Sequence, residues 1–186
     1  MSQVERHVLP HKGPGGRRRI ALGATIHLGS ARLRVYTLHL ETRLSAQKRG
    51  DQIAAVSNQA NQYRELPTVI LGDFNTVTGG ARETMFELMK AAGFRTPLPG
   101  DTKTFQRSFF VRLKLDWVWV RNLDVVASEV EADITASDHR PVWVEIDLRR
   151  FLSGRQDALD WYQYGMSTPD LICRGVACNA STWRAG

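Results

Sequence analysis

The sequence predicts an α/β fold of the α+β type, a layered sandwich with a largely antiparallel sheet. Two apolar-alternating runs near the N-terminus are separated only by Gly29 and Ser30, and three runs rich in Val, Ile or Trp follow one another after residue 114. Connections this short join antiparallel neighbours, because a parallel crossover needs a dozen or more residues. Two segments with helical periodicity lie between these groups. The order β-β-α-β-α-β-β-β therefore favours stacked layers over a doubly wound parallel sheet.

The predicted elements follow from periodicity and from the residues that interrupt it. Alternating apolar and polar residues indicate strands, an apolar stripe every three to four residues indicates a helix, and Gly or Pro ends either. Ser45 is the expected N-cap of the first helix, and Gly93 follows the second. In chain order the prediction is a loop at 1–18, strands at 20–28 and 32–40, a helix at 45–65, a strand at 68–71, a helix at 80–92, and strands at 115–121, 125–131 and 141–148. We therefore expect one domain over 19–148, preceded by a loop or the remnant of an upstream part (1–18) and followed by a tail of unknown role (149–186).

Composition and charge limit the functional classes. The chain has 186 residues, 42% hydrophobic and 24% charged, as in a globular domain. No apolar run approaches the ~20 residues that span a bilayer, and the N-terminus lacks the apolar core of a secretory signal, so we expect a cytoplasmic chain, with a signal on an upstream segment left open. The net charge of +6 suits an anionic partner. For Arg17, Arg18 and Arg19 a solvated loop and a phosphate clamp both fit the sequence, as do free thiols and a local bridge for Cys173 and Cys178.

Three polar side chains end or interrupt apolar strands. Asp73 and Asn75 follow a buried strand, and alternation points both to one face. A carboxylate beside a carboxamide can take a proton from water while it holds a phosphate oxygen, although the same pair is common in turns. Asp116 lies within an apolar strand, where a carboxylate is costly unless it is paired.

Two histidines and one further aspartate complete the candidate set. His39 lies on a strand, where a structural histidine is common. Asp138 and His139 are adjacent just before the last strand, and a loop there could aim both at one centre. Carboxylate and amide oxygens suit Mg²⁺ or Mn²⁺, whereas two histidines alone are a poor set for zinc. Such a site could neutralise a phosphate, align water and stabilise in-line attack.

Four segments together carry a resemblance to a known family. In order and spacing they resemble the second half of the endonuclease/exonuclease/phosphatase superfamily, which includes deoxyribonuclease-like nucleases, abasic-site endonucleases, inositol polyphosphate phosphatases and sphingomyelinases. The segments are His39-Leu40, Gly72-Asp-Phe-Asn75, Leu115-Asp-Trp117 and Ser137-Asp-His-Arg-Pro141. The resemblance covers about residues 19–148.

The resemblance implies a role for each candidate. Asp73 would activate the attacking water, and Asn75 would hold that water and a phosphate oxygen. Asp138 would bind the metal ion, with Asp73 and Asn75 as its neighbours. His139 would contact the scissile phosphate, and Asp116 would orient it and keep it cationic. His39 would assist the leaving group.

The sequence also departs from the family. An early strand of the family supplies an Asn, and a following segment supplies a Glu that binds the metal; neither motif occurs here. We therefore expect an incomplete copy of the four-layer fold, without a neighbour for the strand at 20–28 and without the partner sheet. We expect a monomer if the protein is complete and association through the exposed sheet if it is truncated. For the isolated chain, taken as truncated, we expect weak metal binding and impaired or absent activity.

The predicted function is a divalent-metal-dependent hydrolase of phosphate esters, a phosphodiesterase or nuclease that acts by water attack on phosphorus. The expected cofactor is Mg²⁺ or Mn²⁺, and the expected partner is a phosphate-ester substrate, with nucleic acid suggested by the positive charge. Arg107 and Arg112 are candidate substrate contacts, because guanidinium groups bind phosphate bidentately. The alternative is a non-catalytic module that binds nucleic acid or another anionic ligand, which predicts salt-dependent binding without turnover.

Overall fold

The computed structural model describes residues 2–108, 110–151 and 172–177. This part of the chain contains ten strands and two α-helices. In chain order they are β1 (Ser2–Val8), β2 (Ile20–Leu28), β3 (Ala31–His39), α1 (Ala46–Asn61), β4 (Thr68–Asp73), α2 (Gly79–Ala91), β5 (Phe105–Gln106), β6 (Arg112–Leu113), β7 (Asp116–Arg121), β8 (Asp124–Val130), β9 (Val142–Asp147) and β10 (Ile172–Ala177). The predicted fold class is confirmed. Neither described helix has the length and apolar character that a bilayer-spanning helix needs.

A five-stranded sheet forms the centre of the molecule, in the order β1-β2-β3-β4-β7. Its neighbouring strands are antiparallel except for β3 and β4, which are parallel and joined through α1. β8, β9 and β10 form a second antiparallel sheet, and β5 and β6 form a short hairpin. The predicted antiparallel character is therefore correct, with one parallel pair that the helical crossover requires.

The two helices begin where the sequence places an N-cap. Ser45 Oγ accepts a hydrogen bond from Lys48 N at 3.3 Å, which caps α1. Thr78 Oγ1 accepts one from Ala81 N at 3.3 Å, which caps α2. Gly50 inside α1 costs helix stability, but a Cβ there would lie 3.0 Å from Thr84 Cγ2. The glycine therefore allows the two helices to approach each other.

Two separate cores lie on the two faces of the central sheet. One face packs against both helices through a cluster that includes Tyr36, Ile70 and Trp117. The other face packs against the second sheet through a cluster that includes Val118 and Val144. The described part is thus a three-layer arrangement of helices, sheet and sheet, and the alternation of each central strand decides which side chains enter which core.

The expectation of missing neighbours for the central sheet is wrong in two places. β1 pairs with β2 in antiparallel register, although residues 1–18 were predicted to be a loop. The second sheet covers the face that was expected to lie bare. The sequence did not indicate β1 because its inward-facing residues are Glu5 and His7, which form ion-pair contacts and give no apolar alternation.

The predicted tail also contains regular structure. Residues 172–177 form β10, which pairs with β9 from Ile172↔Asp147 to Ala177↔Val142. Arg149–Phe151 forms a 3₁₀ turn after β9. The remaining positions of the tail, including Cys178, lie outside the described residues, as does the side chain of Cys173, so the prediction about these thiols stays a prediction.

Candidate active site

Three neighbouring strands place ionisable side chains in one row. In the parallel pair β3–β4 His39 lies opposite Asp73, and in the antiparallel pair β4–β7 Asp73 lies opposite Asp116. Residues paired in this way point to the same face of a sheet. The row lies on the face that packs against the second sheet, because Trp117 and Phe74 point into the helical core instead. Strand register therefore brings together residues that are up to 77 positions apart.

The end of β4 is shaped by two unusual backbone conformations. Gly72 has φ of 135°, and a Cβ there would lie 2.0 Å from the carbonyl oxygen of Leu38. Asn75 has φ of 50°, a left-handed value that Asn tolerates. Asn75 N donates to Asp73 Oδ1 at 2.9 Å, and Asn75 Nδ2 donates to Leu40 O at 2.9 Å. The turn interpretation of these two residues is thus correct, and it leaves Asp73 Oδ2 directed toward His39, 3.7 Å from Nε2.

His139 joins the row from the loop before β9. Its Nδ1 donates to Asp116 Oδ2 at 2.8 Å, and its ring meets the edge of Phe105 with centroids 4.9 Å apart. The loop is held by backbone hydrogen bonds from Arg140 N to Thr104 O and from Gln106 N to Asp138 O, each 2.7 Å. Asp116, the carboxylate within an apolar strand, is therefore paired with His139, and this pairing offsets part of the cost of burying the charge.

Thr104 is a residue that the sequence analysis missed. Its Oγ1 accepts hydrogen bonds from Leu115 N at 3.0 Å and from Asp116 N at 2.9 Å, while its backbone oxygen accepts from Arg140 N. One buried threonine thus connects the start of β7 to the loop that carries His139. Nothing in its sequence context signals this role, because the contact depends on three segments distant in sequence.

Asp73, Asp116 and His139 form a compact cluster. One ligand atom from each lies within 4.8 Å of the others, and both carboxylates are almost completely buried. Burial and the neighbouring charge of Asp116 raise the pKa of Asp73 to about 6. Burial works to lower the pKa of His139, but the hydrogen bond and charge of Asp116 raise it above its ordinary value. The cluster therefore combines a carboxyl group that is less acidic than usual with an imidazole whose cationic form is favoured more than usual.

His39 has the opposite electrostatics at the other end of the row. Burial and the positive charge of Arg19 lower the pKa of His39. The same arginine also acts on Asp73. The imidazole of His39 is therefore favoured in its neutral form near pH 7, in which it can donate one N–H or accept one hydrogen bond.

Asp138, Arg107 and Arg112 lie outside this cluster. Asp138 is exposed; its Oδ1 is 3.4 Å from Ser137 Oγ, and its charge acts weakly on His139. Together with Arg107 and Arg140, Asp138 lines an open surface cavity of about 510 Å³. Arg112 is exposed on β6 and does not line that cavity. The structure brings Asp73, Asn75, Asp116, His39 and His139 together, and the metal-binding role of Asp138 stays a prediction.

Comparison with known proteins agrees with this geometry. The endonuclease/exonuclease/phosphatase family model matches residues 2–139, which is more than half of the chain. The chain therefore belongs to the endonuclease/exonuclease/phosphatase family. A search of curated protein sequences gives no match.

Solved structures share the fold at low sequence identity. One is Danio rerio TDP2 in complex with single-strand DNA product, with 14% identity, a TM-score of 0.62 and coverage of 78% of this chain and 67% of that one. Another is a mannosyl-6-phosphatase of Bacteroides thetaiotaomicron VPI-5482, with 18% identity, a TM-score of 0.59 and coverage of 77% and 65%. A third is a conserved protein of unknown function from Enterococcus faecalis V583, with 21% identity, a TM-score of 0.61 and the same coverage. The chain thus spans about two thirds of the length of these relatives.

Proposed function

We propose that this chain carries the reaction centre of a divalent-metal-dependent hydrolase of phosphate esters, a phosphodiesterase or nuclease that acts by attack of water on phosphorus. The observation that carries the proposal is the cluster of Asp73, Asp116 and His139, in which a buried carboxylate pair shares one imidazole. Family membership supports the reaction class.

The cluster fits a divalent cation in its chemistry. Two buried carboxylates face each other across β4 and β7, and burial together with the charge of Asp116 raises the pKa of Asp73 to about 6. A cation beside them would relieve the repulsion between the two carboxylates. Asp73 of this cluster would hold the cation. Asn75 and Asp138 are the further ligands in the proposal, although Asp138 lies outside the compact cluster, since both offer the oxygen atoms that Mg²⁺ and Mn²⁺ prefer. When bound, the cation would neutralise charge on the phosphoryl oxygens.

Each side chain of the row has a separate task in this proposal. Asp73 Oδ2 accepts the proton of the attacking water, since Oδ1 is already engaged by Asn75 N. Asn75 positions the water and a phosphate oxygen through Oδ1 and the amide hydrogen that Leu40 O does not take. His139 donates from Nε2 to the phosphate, because Nδ1 is held by Asp116. His39, favoured in the neutral form, donates a hydrogen bond to the leaving oxygen.

Charge and fold relatives favour a nucleic-acid substrate among the phosphate esters. The net charge of +6 attracts polyanions over long range. Arg107, in the cavity beside Asp138, is placed to contact a phosphate that extends from the reaction centre. One solved relative holds single-strand DNA product, and another is named a mannosyl-6-phosphatase, so both diesters and monoesters belong in the test.

The test is hydrolysis of bis-p-nitrophenyl phosphate and p-nitrophenyl phosphate with and without Mg²⁺ or Mn²⁺. We expect turnover that EDTA abolishes and that added metal restores. His139→Ala should lower kcat by about 10²- to 10³-fold, the usual cost of losing one hydrogen-bond donor to the charge that develops in the transition state. His27→Ala is the matched control, because His27 lies at the far end of β2, and it should leave turnover unchanged.

Two outcomes would contradict the proposal. Turnover that continues in EDTA would show that the reaction does not require a divalent metal ion. Salt-dependent binding of single-stranded DNA with no hydrolysis of any ester would favour the non-catalytic module instead.

A further inference from the structure

An arginine-bearing loop lies at the His39 end of the catalytic row. The segment 13–19, called the arginine loop below, is closed by hydrogen bonds from Gly13 N to Arg17 O at 2.9 Å and from Gly16 N to Gly13 O at 3.1 Å. Gly15 and Gly16 have φ of 77° and 75°, which only glycine adopts readily. These hydrogen bonds hold the loop in a compact turn, so the backbone positions from which its arginine side chains extend are fixed.

The arginine loop is docked on Glu41. A Cβ at Gly13 would lie 2.3 Å from Glu41 Oε2, so any larger residue would displace the glutamate side chain from this position. Arg19 Nε lies 3.2 Å from the same oxygen, and Thr42 Oγ1 and Arg43 N donate to Glu41 Oε1 at 3.2 and 3.3 Å. Glu41 forms an ion pair with Arg19 and is only 8% exposed, so it serves as an anchor for the loop.

The loop and the segment after β3 enclose a basic cavity of about 330 Å³. Four arginines, one glutamate and one proline line the cavity: Arg17, Arg18, Arg19, Arg43, Glu41 and Pro14. Both Glu41 oxygens are already engaged. Within the described part of the chain, Arg17, Arg18 and Arg43 make no side-chain hydrogen bond or ion pair. All three are exposed, so water and salt screen their mutual repulsion, and their guanidinium groups remain available to bind an anion.

The position of the cavity relates it to the substrate. Glu41 follows His39 by two residues, so the cavity adjoins the leaving-group end of the row. The cavity that contains Asp138 adjoins the His139 end. An anion bound by the arginines would therefore be a neighbour of the reacting phosphate.

We propose that the arginine loop and Arg43 form a subsite for a second phosphate group of the same substrate molecule. This inference rests on the proposed function and makes the substrate a multiply phosphorylated ester, such as a nucleotide strand with its next phosphate. Guanidinium groups suit this task because each can bind a phosphate through two parallel hydrogen bonds. Of the two interpretations that the sequence leaves open for Arg17, Arg18 and Arg19, the phosphate clamp is the one that this geometry favours.

The test compares two substrates that differ by one phosphate. Thymidylyl-(3′→5′)-thymidine is measured beside its 5′-phosphorylated form, in wild type and in the double variant Arg17→Gln/Arg18→Gln. Release of the 5′-terminal nucleoside through its 3′ oxygen, followed by chromatography, puts the added phosphate on the leaving group. We expect the variant to raise KM for the 5′-phosphorylated substrate at least about 10-fold, the loss of roughly one charge-assisted contact. KM for the other substrate and kcat for both should change less than twofold.

Arg6→Gln/Arg32→Gln is the control with the same loss of charge. Both residues are exposed, and neither lines the cavity. If the control reproduces the effect, or if the loop variant raises KM equally for both substrates, the charge acts only at long range and the subsite is rejected. Competition by inositol 1,4-bisphosphate as strong as that by thymidine 3′,5′-bisphosphate would support recognition of the phosphate itself rather than of the nucleoside.

A binding measurement separates failure of the subsite from failure of the proposed function. Fluorescence anisotropy of labelled trithymidylate, with and without a 5′-phosphate, needs no turnover. A preference for the phosphorylated form that Arg17→Gln/Arg18→Gln removes supports the subsite even if no ester is hydrolysed. Equal binding of the two oligonucleotides by the wild-type protein overturns it.

Discussion

Two regions of the central sheet bury charged side chains, and they differ in whether the buried charge is neutralised by a partner of opposite sign. On the helical face, Arg34 is completely buried and pairs with Glu5 at 2.7 Å. On the other face, Asp73 and Asp116 are almost as deeply buried and share a single imidazole. The first region balances its charge internally and the second does not.

Each of the three guanidinium nitrogens of Arg34 donates a hydrogen bond. Nε donates to Tyr36 Oη at 3.1 Å and Nη1 to Thr25 Oγ1 at 3.2 Å, while the ring of Tyr63 stacks 4.2 Å from Cζ. Burial works against ionisation of Glu5, but the hydrogen bond from Tyr63 and the charge of Arg34 lower its pKa. Such a network stabilises the fold and has little capacity left for a ligand.

The row of His39, Asp73 and Asp116, with His139, instead retains unbalanced negative charge. Two carboxylates face one imidazole, and the second imidazole, His39, is favoured in its neutral form. Two buried carboxylates with one imidazole between them destabilise the fold. This destabilisation is consistent with a site whose charge is balanced when a cation and a phosphate bind. The comparison teaches that charge balance, more than burial, separates the structural polar cluster from the functional one.

The largest expected effect comes from Asp73→Asn. The proposed hydrolysis should fall by about 10²- to 10⁴-fold, because the base is lost. The midpoint of urea unfolding should not fall, because one of two buried like charges is removed and the amide oxygen can still accept from Asn75 N. Asp133→Asn, at an exposed position, should change neither quantity. A clear loss of stability in Asp73→Asn would show that the row is balanced after all.

Arg34→Met should produce the reverse pattern. The variant loses the hydrogen bonds of Arg34 to Tyr36, Thr25 and Glu5, while Glu5 is one-third exposed and can be solvated, so we expect a loss of about 1–3 kcal/mol. Urea unfolding followed by circular dichroism measures this change. Arg32→Met is the matched control on the same strand and should change stability by less than about 0.5 kcal/mol, because Arg32 is exposed. Similar values for the two variants would mean that the buried network contributes nothing.

Gly72→Ala should impair both stability and activity. The added methyl group would meet the backbone oxygen of Leu38 at 2.0 Å, and a positive φ is strained for alanine. We expect a loss of about 1–3 kcal/mol, together with lower kcat because Asp73 follows directly. Gly79→Ala, where an added Cβ meets nothing within 4 Å, should be neutral or slightly stabilising. An unchanged melting temperature in Gly72→Ala would contradict this account of the strand end.

The smallest expected effect is a change of stability with pH that comes from Lys114. This buried cation has hydrogen-bond partners, as Arg34 does, but no ion-pair partner among the described side chains that it contacts. Its Nζ donates to the backbone oxygens of Leu98 and Pro99 and lies 4.1 Å from the ring centroid of Trp117. Burial, together with the charge of Arg82, lowers the pKa of Lys114 to about 8. The folded state therefore binds its proton more weakly than the unfolded state, so the stability penalty is full below about pH 8 and disappears as pH rises toward the ordinary lysine value.

The measurement compares wild type with Lys114→Met at pH 7.5 and 9.5. Relative to the variant, the wild type should gain roughly 1–2 kcal/mol over this interval, since one pKa unit corresponds to about 1.4 kcal/mol. The contact with Trp117 favours the charged lysine and reduces the gain. A relative loss at high pH would mean that the carbonyl oxygens and the ring outweigh burial.

Local pattern was sufficient for most of the elements. The strand at 20–28 was predicted with its observed ends, and the N-cap of α1 at Ser45 was identified from residue type alone. These features depend on contacts between near neighbours in the chain, which alternation and capping chemistry describe. The first strand was missed because its inward face carries Glu5 and His7 rather than apolar residues, and the partner of Glu5, Arg34, is far away in sequence.

The sequence by itself therefore determined the kinds of side chain available for the site and the faces on which most of them lie. Tertiary structure decided their assembly: strand register places His39, Asp73 and Asp116 side by side, and Thr104 fixes the loop that brings His139 to Asp116. It also left Asp138 outside the compact cluster and placed the arginine loop against Glu41. The physical reason is that register and loop placement depend on hydrogen bonds between distant segments, which no local periodicity encodes.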